Sequence, residues 1–255
     1  MTEDRETPSG DSERPKDDSL PALVQRLSEA QDGEGTPALL GRLTRSLTAS
    51  ARKAGVVGVA GGRWLADTLL QVAPRLSVRD LDTLRDHHHG LTGEALADAL
   101  VENAVRATMG VGAAAGGLAA VEFTAPPLLL TAPAQIAAET LAVSAIEVKL
   151  VAELHEVYGV QVPGNGTQRA TAFVHAWARQ RGVDPKHPGS YSSALGTTAR
   201  RELRNRLMRR MGRGIATLGP MLTGAAAGAA LNNQATRRVA DVVREDLRHR
   251  VTLQR

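Results

Sequence analysis

Apolar residues recur along this chain three and four positions apart, the spacing that lines one face of an α-helix, and no segment shows the sustained alternation of a half-buried strand. Leu20, Leu23, Val24 and Leu27 form the first stripe, with Ser19 placed to cap it and Pro21 in its first turn. After the linker Gln31 to Thr36, Leu39, Leu40, Leu43 and Leu47 stripe a second helix, which should fray near Gly55 to Gly62. Arg63 to Val72 is helical in pattern. Ser77 with Asp80 makes a capping-box-like start for a helix through Leu81 and Leu84 to His88, stopped by Gly90. Thr92 can cap the next helix, which carries Leu96, Leu100, Asn103 and Ala104 on one face and Glu94, Asp98 and Glu102 on the other.

That helix runs into Ala107 to Ile146, 40 residues in which only Glu122 and Glu139 are charged and which Pro126, Pro127 and Pro133 interrupt. Its uncharged pieces are 15 and 16 residues long, short of the roughly 20 that span a bilayer. The stretch therefore reads as an apolar helical hairpin with a proline-broken turn. Amphipathic helix resumes through Leu141, Ile146, Val148 and Leu154 with Glu147, Lys149 and Glu153, and ends at Tyr158-Gly159. Thr167 opens a helix carrying Ala170, Phe173, Val174 and Trp177, closed by Gly182. Gly214 to Thr236 holds 23 residues without a charge, but Gly219-Pro220 and the run Asn232, Asn233, Gln234 make it a weak membrane span. A last helix, Arg237 to Val251, aligns Val239, Val242, Val243 and Leu247.

The pattern predicts an all-α fold: a compact helical domain over 77–255 around the apolar hairpin, preceded by N-terminal helices over 20–76 and an acidic tail over 1–19. The tail has no Leu, Ile, Val or Phe and should be disordered. Composition explains how such a core can close. Of 255 residues 41 are Ala and six are aromatic, so helices must approach closely rather than rest on large anchors. Gly112-Ala-Ala-Ala-Gly116 recurs as Gly224-Ala-Ala-Ala-Gly228. Glycines four apart share a helix face and admit a partner backbone. The two segments could pack on each other in one core, pack in or at a membrane, or match by chance.

Cysteine is absent, which excludes disulfides, thiolate metal sites and a Cys nucleophile and points to a reducing, cytoplasmic location. The start lacks a basic then apolar leader pattern. Charge is unevenly placed: Met1 to Thr36 carries four basic and ten acidic residues, Arg200 to Arg255 thirteen Arg and four acidic. Within the latter, Arg200, Arg201, Arg204, Arg206, Arg209, Arg210 and Arg213 sit on a basic amphipathic helix with Leu203, Leu207 and Met211 on one side. It could lie on an anionic membrane surface, contact nucleic acid, or be a core-packed helix with an exposed Arg face. Nucleic acid is disfavoured because neither stacking aromatics nor a helix-turn-helix context accompanies it.

Catalytic signals are missing. There is no G-x-S-x-G elbow and no phosphate-binding G-x-x-x-x-G-K-[ST] loop. Gly110, Gly112 and Ala115 fit a relaxed dinucleotide fingerprint only nominally, since no strand delivers them. His87, His88 and His89 diverge at a helix end, and Glu153-Leu-His155-Glu156 lacks the second histidine of a zincin motif and should lie on a solvated face. No metal, cofactor or catalytic residue is assigned. An enzyme would need a site assembled in space, with His155 and His175 as the residues to inspect.

The Gly/Ala-rich segment, the broken stretch Thr124-Ala-Pro-Pro-Leu-Leu-Leu with Pro133, and the helix ending Lys149-Leu-Val-Ala-Glu-Leu-His-Glu-Val-Tyr158-Gly159 resemble the EcsC family, as does the block Leu218 to Gly228 followed by Asn232-Asn233 and Arg237-Arg238. The resemblance covers roughly 77–247. It implies an α-helical, often membrane-associated bacterial protein of unsettled activity, whose founding member is encoded beside an ABC transporter. It brings no catalytic residues. The acidic tail and the Arg-rich 200–213 helix depart from it. The combined expectation is a non-enzymatic accessory protein, peripheral on the inner face of the membrane, with a membrane surface or membrane protein such as a transporter as partner; the alternatives are a soluble all-α module that binds protein or nucleic acid, and a hydrolase with a spatially assembled site.

Overall fold

Every residue from Leu141 to His155 is buried, so the helix that holds them has no solvent face. It belongs to a computed structural model that describes residues 18–30, 35–60, 63–122, 132–181 and 220–253, with side chains over 18–30, 35–48, 65–117, 134–181 and 224–253. In chain order the helices are α1 (Leu20–Glu29), α2 (Thr36–Ala60), α3 (Arg63–Val72, running into a 3₁₀ turn at Ala73–Arg75), α4 (Leu81–His87), α5 (Gly93–Glu122), α6 (Ala132–Tyr158), α7 (Gly166–Gln180) and α8 (Pro220–Leu253). No strand occurs among the described residues, and the fold is all-α. The acidic tail up to residue 17, the hairpin turn at 123–131 and the basic segment 200–213 lie outside the described residues.

Among the described residues, each of the seven other helices packs on α6. One continuous apolar core runs from Leu23 and Leu27 of α1 through Leu40, Leu43 and Leu47 of α2 to Leu141, Leu150 and Leu154 of α6, Trp177 of α7 and Leu247 of α8. The expected amphipathic character of α6 is thus corrected. A helix apolar nearly all round is a buried one, and here it buries Glu147, Lys149 and Glu153 with it.

The most extensive helix pair is α5 with α8, antiparallel and in close approach. Gly112 lies against Gly228 and Gly116 against Gly224, so near that an added Cβ on Gly112, Gly116 or Gly228 would overlap a carbonyl of the facing backbone. Away from this crossing the pair is joined by charge. Arg237 forks onto Glu102 (2.7 and 3.1 Å) and Arg248 onto Glu94 (2.8 and 2.6 Å), while Arg244 reaches Glu94 at 2.6 Å and Asp98 at 2.7 Å. These arginines hold the Glu94 carboxyl down to about 2.

Several element ends differ from the sequence reading. Helix α2 continues to Ala60, through Gly55 and Gly58, where the pattern predicts fraying; each helical glycine costs only about 1 kcal/mol. Ser19 makes no side-chain cap on α1. Asp80 alone caps α4, accepting from Thr83 N–H at 2.8 Å, while the Ser77 hydroxyl accepts a hydrogen bond from Gln25. Asn165, not Thr167, caps α7 in a reciprocal box with Gln168. From Pro220 on, the uncharged stretch and the last helix are one continuous helix, the 34 residues of α8, and its Val242 is 44% exposed, off the buried stripe of Val239, Val243 and Leu247.

Candidate functional site

The charged residues of α6 sit inside the protein because other elements bring charge to meet them. Glu147 has no solvent exposure. Its carboxylate accepts from Trp177 Nε1 (2.7 Å), from Arg181 Nε (2.8 Å) and Nη2, and from Thr236 Oγ1 (2.9 Å). Trp177 and Arg181 are four apart, so the last turn of α7 presents both to one carboxylate. Thr236 also meets Thr108 Oγ1 at 3.0 Å, which extends the network from α7 through α6 to α8 and α5. A buried charge with this many donors is a fixed structural joint.

Six residues further along, Glu153 is 3% exposed and gripped by Arg79 in a two-pronged pair, Nε to Oε1 at 2.8 Å and Nη2 to Oε2 at 3.0 Å. Arg79 comes from the extended lead-in to α4, which the cap at Asp80 sets in place. The expectation that the Glu153 to Glu156 motif lies on a solvated face is therefore overturned for Glu153 and for His155, which is 9% exposed. Lys149, one turn before Glu153, is equally buried. Its ammonium stands 3.9 Å from Glu153 Oε1, and burial lowers its proton affinity.

Around these groups the helices leave a cavity of about 540 Å³, within the usual range for small-molecule sites. Leu76, Val148, Ala152, Val160 and Phe173 supply apolar wall; Arg79, Lys149 and His155 line it, with Arg169 and Glu156 toward its edge. Lys149 and Arg79 also line a second cavity of about 250 Å³ between α1, α5 and α6. His155 Nδ1 lies 2.7 Å from the Val151 carbonyl, which can only accept, so Nδ1 carries the hydrogen. Its ring meets Phe173 edge to face, and burial lowers its pKa, keeping it neutral. Among the described residues no serine, threonine or cysteine lines the larger cavity, and His175 is exposed on α7.

The other residues singled out in the sequence fall elsewhere. Gly112, Gly116, Gly224 and Gly228 face one another at the α5–α8 crossing. His87 and His89 are exposed at the end of α4, and among the described residues no group of three or more His, Asp or Glu could hold a metal ion. Arg200, Arg201, Arg204, Arg206, Arg209, Arg210 and Arg213 lie outside the described residues. Sequence reasoning missed Glu147, Lys149 and Glu153 as a buried set. At 100° per residue, Lys149 and Glu153 share one side of α6 while Glu147 lies about 160° round from Lys149. Charges on opposite sides of an otherwise apolar helix were the available signal.

Compared with known protein families, curated proteins and solved structures, the chain matches none.

Proposed function

We propose that this chain is a non-enzymatic, EcsC-like accessory protein that docks peripherally on the cytoplasmic face of a bacterial membrane, with the lipid surface or a membrane protein such as a transporter as its partner. One observation carries the reading: charge is segregated along the α5–α6–α8 bundle, and the uncharged halves meet at one end. Gln135, near the start of α6, donates to the Ala115 carbonyl of α5 at 3.0 Å, and Gly116 meets Gly224 of α8 beside it. The ion pairs of Glu94, Asp98 and Glu102 with Arg237, Arg244 and Arg248 gather toward the opposite end.

In sequence the basic segment Arg200 to Arg213 precedes α8, with only six residues between Arg213 and Pro220. An apolar helix end and a run of Arg close to it in sequence are the combination a surface of anionic lipid favours, each such charge contributing about 1 kcal/mol near the membrane. Among the described residues no helix is long and apolar enough to cross a membrane, and the glycine stripes are occupied by each other. Surface attachment rather than insertion is the form of association this supports. The family reading itself rests on the motif residues named in the sequence.

The test is flotation of the full chain with vesicles of zwitterionic lipid alone and of zwitterionic lipid mixed with phosphatidylserine. Flotation only with the anionic vesicles, reversed by high salt, is the expected result. Failure to float with either composition at low salt would overturn the reading.

A further inference from the structure

Lys149 is the least well served charge in the core. Its side chain is 8% exposed, and among the described residues its ammonium has no hydrogen-bond partner; the nearest carboxylate oxygen, Glu153 Oε1, is 3.9 Å away. Glu153 is held by Arg79 and leaves Lys149 beyond hydrogen-bond distance. Arg79 takes both of its oxygens in a parallel fork, and the Arg79 backbone N–H adds a third contact at 3.4 Å. Within the trio Lys149 has no hydrogen-bonded counterion, and Glu29, across the second cavity, acts on it only through space. A buried ammonium without acceptors is costly, and proteins satisfy such groups with a partner.

The cavity that Lys149 lines could supply the partner. Around Lys149 its wall includes Val148, Ala152, Val160 and Phe173, with neutral His155 beside them, and the cavity's acidic lining residues are Asp80, the cap of α4, and Glu156. A single compact cation against such a wall suits one negative charge on an apolar body. A dianionic phosphate would call for several forked or backbone donors, and Arg79 is already committed.

We infer that the cavity between α6, α7 and the 73–81 segment is a binding site for a small amphipathic carboxylate, with its carboxyl group on Lys149 and its apolar body against Val148, Ala152, Val160 and Phe173. The carboxylate gives the Lys149 ammonium the hydrogen-bonded acceptor that Glu153, at 3.9 Å, does not. Arg169, exposed near the rim, favours entry of an anion. The site is independent of membrane docking, since it uses none of the Arg200 to Arg213 residues.

The experiment is calorimetric titration of the full chain with octanoate and with octanamide, its uncharged counterpart. Octanoate should bind at least tenfold more tightly, and Lys149→Met should reduce that preference to within about twofold. Equal binding of the two probes, no binding of octanoate, or unchanged octanoate affinity in Lys149→Met would overturn the proposal. Should Lys149→Met fail to fold, reductive methylation of the unmodified chain decides. The chain has four lysines, Lys16, Lys53, Lys149 and Lys186. Octanoate should slow modification of Lys149 at least fivefold relative to the other three; equal rates with and without octanoate would overturn the proposal.

Discussion

The indole of Trp177 donates to Oε2 of Glu147 across 2.7 Å, with both side chains at zero exposure. This contact joins α7 to α6 and shares its carboxylate with Arg181 and Thr236. Removing the acceptor is much worse than removing one donor, because Arg181 and the indole would both lose their partner. Glu147→Ala should destabilise the fold by about 3 kcal/mol or more and Trp177→Phe by roughly 1–3 kcal/mol. Urea unfolding measures both. Equal losses would show that the carboxylate is not the hub of the network.

Substitution at the glycine crossing separates contact from helix propensity. A methyl group on Gly112 or Gly228 has no room against the opposing backbone, whereas one on Gly41, within α2, meets nothing within 4 Å. Gly112→Ala and Gly228→Ala should each cost about 1–3 kcal/mol through forced separation of α5 and α8, and Gly41→Ala should gain roughly 0.5–1 kcal/mol. Thermal melts of the three variants would check this. A stabilised Gly112→Ala would rule out the close approach.

Glu139, on α6, has one polar contact, from Asn232 Nδ2 at 3.4 Å. Burial dominates and pushes its carboxyl from 4.5 up to about 7. The folded state then holds a proton that the unfolded chain has already released, so stability falls as pH rises between those two values. Because the group keeps some solvent exposure, about 3 kcal/mol is the upper bound of the loss. Glu139→Gln should flatten the melting temperature between pH 5 and pH 8 relative to the unmodified chain. Parallel curves for the two proteins would contradict the assignment.

Charge reversal in the basic segment bears on membrane attachment alone. Arg204→Glu with Arg210→Glu should weaken binding to anionic vesicles by about 1 kcal/mol per charge or more, without altering octanoate titration. Unchanged vesicle binding in the double variant would remove the Arg-rich segment from the docking surface.

Helical periodicity carried most of the fold, since Leu23, Val24 and Leu27, Leu40, Leu43 and Leu47, and Phe173, Val174 and Trp177 are all buried as stripes. The repeated Gly-Ala-Ala-Ala-Gly also marked, in sequence, the positions that meet at the crossing. What periodicity could not supply was partnership. Arg79 is 74 residues from Glu153 and Arg181 is 34 from Glu147, and no local pattern records such pairings. Helix starts differ for a related reason: the pattern pairs Ser77 with Asp80 at the start of α4 and opens α7 at Thr167, but Asp80 and Asn165 hold the positions whose backbone is extended at the helix start. Cavities depend on how α6, α7 and the 73–81 segment fail to fill space, which no one-dimensional pattern encodes.

Gly112 and Gly228 are 116 positions apart, yet their backbones touch. During synthesis α5 emerges long before its antiparallel mate, and the groove left for a bare backbone fits few other helices. The nascent chain must therefore carry an unfilled seam along α5 until α8 has left the ribosome, and it is then that a chaperone or a neighbouring copy's α8 could compete for it.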